Sequence, residues 1–255
     1  MRTICDIKYG ETNSAELLDL YLPDEAENEK VPVLLYFHGG GIENGSRKHV
    51  PALCEHLASK GIAVASADYI MFPEAKYPEY IEDCALALAW VKENLLESDK
   101  YGKFGKIFVG GSSAGGYLSM MLCFDGKYLA KYGIDPASLG GFIHDAGQPT
   151  AHFNYLKYNG IDSRRIIVDE TAPLYHMGTA EKLAPMLFIV SDNDMENRYE
   201  QTTLVMSTLR HFRYDESKIK LKIMHGTHCH YVNQKDEDGV SVFGKICEDF
   251  IREFD

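Results

Sequence analysis

Nowhere does this chain approach the run of about eighteen consecutive apolar residues that a membrane-spanning helix needs. The opening Met1-Arg2-Thr3-Ile4-Cys5-Asp6 also lacks the apolar core of a secretory leader. A chain of this kind is expected to be cytoplasmic and to stay off the membrane. Basic residues are scarce: 26 Lys and Arg stand against 38 Asp and Glu, a formal charge of −12. That balance repels phosphate backbones and anionic lipid, which disfavours nucleic acid and membranes as partners and favours neutral or cationic small molecules. The six cysteines (Cys5, Cys54, Cys84, Cys123, Cys229, Cys247) include no Cys-X-X-Cys pair. Free thiols, several on apolar helix faces, are expected rather than a disulfide frame. Internal repeats, low-complexity tracts and Pro/Gly/Ser-rich linkers are missing too. With 255 residues, 45% of them hydrophobic, the expectation is a single α/β domain over 1–255 that buries about three quarters of its unfolded surface.

What is present is alternation. Apolar runs of strand length occur at Leu17–Leu22, Val33–Phe37, Ile62–Ala67, Ile107–Gly110, Gly141–His144, Met186–Val190 and Leu221–Met224, with helical patterns between them. Such order predicts βαβ units and a mainly parallel sheet with helices on both faces. Ile81, Cys84, Ala85, Leu88, Val91 and Leu95 form one apolar stripe, and Phe243, Ile246, Cys247, Phe250, Ile251 and Phe254 form another near the C-terminus. The acidic run Asp24 to Lys30 reads as a solvated turn. The least periodic stretch, residues 147–177, carries Phe153, Tyr155, Tyr158 and Tyr175 among polar residues and is expected to form a small lid-like, substrate-facing excursion. Its aromatics either line a pocket or pack the segment down.

The chemistry gathers around Gly111-Ser112-Ser113-Ala114-Gly115, which follows the apolar run ending in Val109-Gly110 and opens the helical Tyr117–Leu122. A serine on a sharp strand-to-helix turn needs small residues two positions either side, and Gly111 and Gly115 supply them around Ser113. Ser112 is off centre and is expected to serve the turn structurally. His38-Gly39-Gly40-Gly41 stands directly after another buried-looking strand, where a second anion-binding loop would sit. A serine hydroxyl needs a histidine base and a carboxylate to orient it. Downstream, Met186–Val190 runs into Ser191-Asp192-Asn193-Asp194, and Ile219–Met224 runs into His225-Gly226-Thr227-His228-Cys229-His230. Acid and base candidates therefore follow the serine at strand ends, where sites of open α/β sheets form. Asp192 and Asp194 stay open for the acid, and His228 and His230 for the base, with His225 close to the strand end. A zinc site from the three histidines lacks any Cys-X-X-Cys or His-Glu-X-X-His companion, so no metal or cofactor is expected. His38 is expected to brace its loop.

These residues resemble the α/β-hydrolase superfamily, and within it the esterase branch related to hormone-sensitive lipase and to bacterial feruloyl-esterase-like and acetylesterase proteins. The resemblance runs from about Val31 onward and rests on His38–Gly41, Gly111–Gly116, and Ala67-Asp68-Tyr69 followed by Tyr77-Pro78 and Asp83. In that family the acid follows its strand as Gly-X-X-Asp, which aligns with Ser191–Asp194 although Ser191 replaces the glycine. The resemblance implies Ser113 as nucleophile, Asp194 as acid and His228 as base. It implies backbone donors at Gly40, Gly41 and Ala114 for an oxyanion. A serine carboxylesterase for small acyl esters, such as acetylated or feruloylated sugars, is implied. An arylformamidase-like amide hydrolase shares similar motifs, and a non-catalytic binding protein could keep the fold with an idle site. A homodimer is common among such folds.

Overall fold

A computed structural model describes all 255 residues. Eight strands form one sheet in the order β1-β2-β4-β3-β5-β6-β7-β8: Arg2–Lys8, Leu17–Leu22, Val31–Phe37, Ala63–Ala67, Phe104–Ser112, Gly141–Asp145, Met186–Ser191 and Ile219–Met224, numbered along the chain. The pairs β1–β2 and β2–β4 are antiparallel and the remaining neighbours are parallel. Every residue of β3, β4, β6 and β7 is buried, as expected of parallel strands covered on both faces. That double cover is why these strands read as unbroken apolar runs rather than as alternations.

Eight helices follow in chain order: α1 (Pro51–Ser59), α2 (Glu79–Val91), α3 (Ala114–Phe124), α4 (Lys127–Ala130), α5 (Phe153–Tyr158), α6 (Pro173–His176), α7 (Arg198–His211) and α8 (Val242–Phe254). The core falls into two clusters, one for each face of the sheet. Leu53, Cys54 and Leu57 of α1 meet Phe243, Cys247 and Phe250 of α8 over Leu34, Tyr36 and Phe108. Cys84 and Leu88 of α2, Leu118 and Leu122 of α3, and Val205 and Leu209 of α7 cover Val33, Leu35 and Val109 on the other side. Both predicted stripes are thus the buried faces of real helices, with Leu95 in a π-turn (Lys92–Leu96) that prolongs α2. All six cysteines are free, four of them buried.

Strand β1 has no counterpart among the apolar runs. Its side chains are mostly exposed, only Ile4 and Ile7 contribute apolar contact, and the register slips between those two. An edge strand pinned by one neighbour needs no apolar face, so it leaves no period-2 signal.

The 147–177 excursion is anchored more firmly than a flap would be. Thr150, Ala151, His152 and Asn154 are buried, as are Thr171 and Ala172 at its far end. Backbone bonds from Ala151 N–H to Ile167 O (2.9 Å) and from Leu174 N–H to Pro149 O (2.9 Å) tie its two ends together. Only the stretch from Lys157 to Glu170 lies mainly exposed. No helix is long and apolar enough to cross a membrane.

Candidate active site

Strand β5 ends and α3 begins at Ser113, whose φ of 55° and ψ of −111° place a non-glycine residue in a sparsely populated region. The turn is held from below by the Ser113 N–H donating to Asp145 O of β6 at 2.7 Å. It can be this tight only because Gly115 has no side chain: a Cβ there would lie 2.0 Å from Phe37 O of β3. The strain thus aims the Ser113 hydroxyl out over the carboxyl ends of the parallel strands.

The loops after β7 and β8 converge on that hydroxyl. His228 Nε2 lies 2.8 Å from Ser113 Oγ, and its Nδ1 lies 2.5 Å from Asp194 Oδ1. The Asp194 side chain is fully buried while the imidazole keeps 23% of its surface. Burial pushes the Asp194 carboxyl up, but the His228 hydrogen bond and charge, with the Met195 and Ser191 N–H groups, more than reverse this and hold it below the usual carboxylate range. An ionised carboxylate there favours the imidazole tautomer with Nδ1 protonated, which leaves Nε2 free to accept from the Ser113 hydroxyl.

The alternatives left open by sequence go elsewhere. Asp192 accepts from His225 at 2.6 Å on the surface, where the imidazole is 97% exposed. Nδ1–H of His230 donates to Thr227 O at 2.8 Å, bracing the turn. The three histidines of this segment therefore have three separate partners.

Gly40 and Gly41, at φ of 118° and 69°, curl the segment after β3 toward the serine. Their carbonyls are occupied, Gly40 O by the N–H groups of Glu43 and Asn44 and Gly41 O by Asn154 Nδ2 at 2.6 Å, while their own N–H groups donate to nothing in the chain. Ala114 opens α3, and the first N–H groups of a helix have no intrahelical acceptor. Three backbone donors are thus left for a ligand. His38 donates from Nδ1 to Gly39 O at 2.7 Å and stacks on Tyr69, which braces the loop as expected. The anchoring by Asn154 of α5 was not foreseen, because its partner lies more than a hundred residues away in sequence.

A second carboxylate was also missed. Asp145, ending β6 and fully buried, accepts hydrogen bonds from Ser112 Oγ and Tyr231 OH, and Ser112 is joined to Tyr36 OH at 2.6 Å. Ser112 therefore serves structure, in a polar network directly under the elbow. Burial pushes the Asp145 carboxyl up to about 6 despite those hydroxyls. The sign follows from linkage: the native state binds this proton more tightly, so its contribution to stability falls as pH rises from about 4 to 6. Asp145→Asn, which cannot ionise, is expected to cost on the order of 2 kcal/mol more at pH 4 than at pH 7, as read by urea unfolding at both pH values.

Two cavities flank the loop. One of about 490 Å³ opens over Ser113 and His228 and is walled by Gly40, Gly41, Met195 and Asn233. Another, of about 570 Å³, lies beyond Ile42 and is lined by Phe72, Tyr77, Tyr80, Tyr155 and Tyr158. Of the four aromatics singled out in the excursion, Tyr155 and Tyr158 face that cavity, Phe153 faces another, and Tyr175 is 57% exposed.

This sheet order, elbow and loop placement have close parallels among known proteins. A family model described as alpha/beta hydrolase fold matches residues 34–138. Structural likeness extends over nearly the whole chain. Esterase B from Lactobacillus rhamnosus superposes with a TM-score of 0.76 at 18% identity, covering 98% of this chain and 84% of that one. The chain has the α/β-hydrolase fold. A truncated carbohydrate esterase from gut microbiota gives a TM-score of 0.77 at 18% identity, covering 99% of this hydrolase-fold chain and 96% of its own. In sequence, the carboxylic ester hydrolase LipN of Mycobacterium tuberculosis is 33% identical over 145 residues, which is 52% of this chain. The match spans only 38% of LipN.

Proposed function

We propose that this chain is a serine carboxylesterase that hydrolyses small acyl esters through a covalent acyl-enzyme. The observation that carries the reading is the continuous row Ser113 Oγ, His228 Nε2 and Nδ1, Asp194 Oδ1, with contacts of 2.8 and 2.5 Å. Ser113 Oγ attacks the ester carbonyl and His228 Nε2 takes its proton; Asp194 steadies the imidazolium. The carbonyl oxygen, now negative, accepts from the free N–H groups of Gly40, Gly41 and Ala114, each such donor being worth roughly 3 kcal/mol in the transition state. The imidazolium then protonates the departing alkoxide, and water activated by the same nitrogen releases the acid and restores Ser113. The matched relatives named as ester hydrolases support this class of reaction, and the carbohydrate esterase among the structural neighbours agrees with an acylated sugar as substrate.

The test is labelling by a fluorophosphonate with p-nitrophenyl acetate and butyrate turnover followed in parallel. Stoichiometric labelling that abolishes turnover is the expected result. Absence of labelling in folded protein would overturn the reading in favour of an idle site, and a higher kcat/KM for N-formyl aryl amides than for esters would move it to amide hydrolysis.

A further inference from the structure

The overall charge of −12 points away from anionic ligands, yet arginines gather beside the reaction centre. A cavity of about 230 Å³ shares Met195 with the Ser113 cleft, and its wall carries Arg164, Arg165 and Arg198 against a single carboxylate, Glu196. On its other side stands Phe153, whose ring lies 3.7 Å from where a Cβ on Gly41 would be, so the cavity abuts the glycine loop as well.

Arg198 is the unusual member. It opens α7, is only 4% exposed, and makes no ion pair. Its guanidinium donates only to neutral oxygens, those of Ala146 O and, at 3.4 Å, Gln148 Oε1. Ala146 directly follows Asp145, whose carbonyl receives the Ser113 N–H. The buried cation is therefore anchored within one peptide unit of the residue that holds the nucleophile. Desolvating a guanidinium is costly without an anion against it, and burial pulls its pKa down, opposed by the field of Asp194. Around it, Gln148 Nε2 is spent on Thr150 and Ala151, while Gln201 accepts from Thr150 and keeps its own amide N–H groups for a ligand. Arg164 is held by Asp162 at 2.6 Å, but the Arg165 side chain has no partner. One buried and one exposed guanidinium thus face a small cavity, and neither is paired with its one carboxylate, Glu196.

We infer that this cavity is an anion subsite, in which Arg198 and Arg165 bind a carboxylate carried by the ester substrate some distance from its scissile carbonyl. The inference rests on the esterase reading for its substrate but not for its ligand chemistry. Planar guanidinium forks match a carboxylate two N–H groups at a time, which gives direction as well as charge. An anion at Arg198 would supply a counter-charge in direct contact, where the fold offers only the more distant field of Asp194. The net negative surface then discriminates: diffuse repulsion disfavours anions over the rest of the protein, so a carboxylate is held where these guanidinium groups face it.

Two matched pairs of substrates test this: monoethyl adipate against ethyl hexanoate, with the carboxylate on the acyl half, and 4-acetoxybutanoate against butyl acetate, with it on the alcohol half. In one pair the ratio of kcat/KM, anion over neutral, is expected to fall about fivefold to tenfold in Arg165→Gln, chiefly through KM. Arg165→Lys should recover part of it, and Arg210→Gln, an equal change of net charge on the exposed face of α7, should leave it unmoved. The pair that responds identifies the half of the substrate that enters. An unchanged ratio in both pairs would overturn the subsite. Calorimetric titration with glutarate reads it without turnover: binding to wild type that weakens at least fivefold in Arg165→Gln is expected. Glutarate binding in a protein that cleaves no ester would sink the esterase reading and keep the subsite, whereas ester cleavage with no glutarate binding would do the reverse.

Discussion

Replacing Ser113 with alanine is expected to lower kcat for p-nitrophenyl acetate by about 10⁴-fold or more with little change in Tm. The hydroxyl makes one hydrogen bond, to His228, and carries none of the network beneath it, which belongs to Ser112 and Asp145. Fold and chemistry are therefore separable at this position. The acid gives a sharper comparison, because two aspartates two residues apart each hold a histidine. Asp194→Asn removes a buried anion that fixes the His228 tautomer and is expected to cost roughly 10³- to 10⁴-fold in kcat. Asp192→Asn disturbs an exposed pair with His225 and a bond accepted from the Gly226 N–H, and should stay within about twofold. Steady-state kinetics on purified variants read both, and the opposite ranking would place the acid at Asp192.

That comparison also marks where the sequence stopped being legible. Ser113 could be found because its constraint is local: glycines two positions either side, a strand before, a helix after. Spacing narrowed Asp194 and His228 only to their loops, since it does not tell which way a loop curls, and it was the family resemblance that pointed to these two residues. Strand β8 ends at Met224, which leaves His225 as the first loop residue, facing solvent, and only three residues later does the chain return over Ser113. Asp145 was harder, because Tyr36, Ser112 and Tyr231 come together there only through the sheet order. Asn154 reaching Gly41 is invisible for the same reason. Composition misled in one respect: a chain-wide −12 conceals three arginines in one cavity wall, since net charge sums over a surface while a ligand meets a patch. The parallel strands, in contrast, announced themselves because burial on both faces forces unbroken apolar runs.

The largest structural effect is expected from a single methyl group at Gly115. In Gly115→Ala the new Cβ would fall 2.0 Å from Phe37 O, 2.7 Å from Phe37 C and 2.9 Å from His38 O. All three are backbone atoms, so no rotamer change can relieve the clash. Either α3 lifts away from the sheet or the end of β3 moves, and β3 is a central strand paired with β4 and β5. Loss of stability on the order of 3–5 kcal/mol, or failure to recover folded protein, is expected. Gly133→Ala provides the control: its φ of +63° is unfriendly to a side chain, unlike the helical backbone of Gly115, but no atom lies within 4 Å of the added carbon. That change should cost only the left-handed backbone penalty of about 1–2 kcal/mol. Urea unfolding of the two variants separates steric from conformational cost, and equal values would refute the close approach of helix to strand. If Gly115→Ala does fold, either displacement shifts Ser113 and Ala114 relative to Gly40 and Gly41, so kcat should fall even though Ser113, His228 and Asp194 are intact. A folded variant with full kcat would mean that the close approach of α3 to the β3 end does not set how Gly40 and Gly41 lie relative to Ser113.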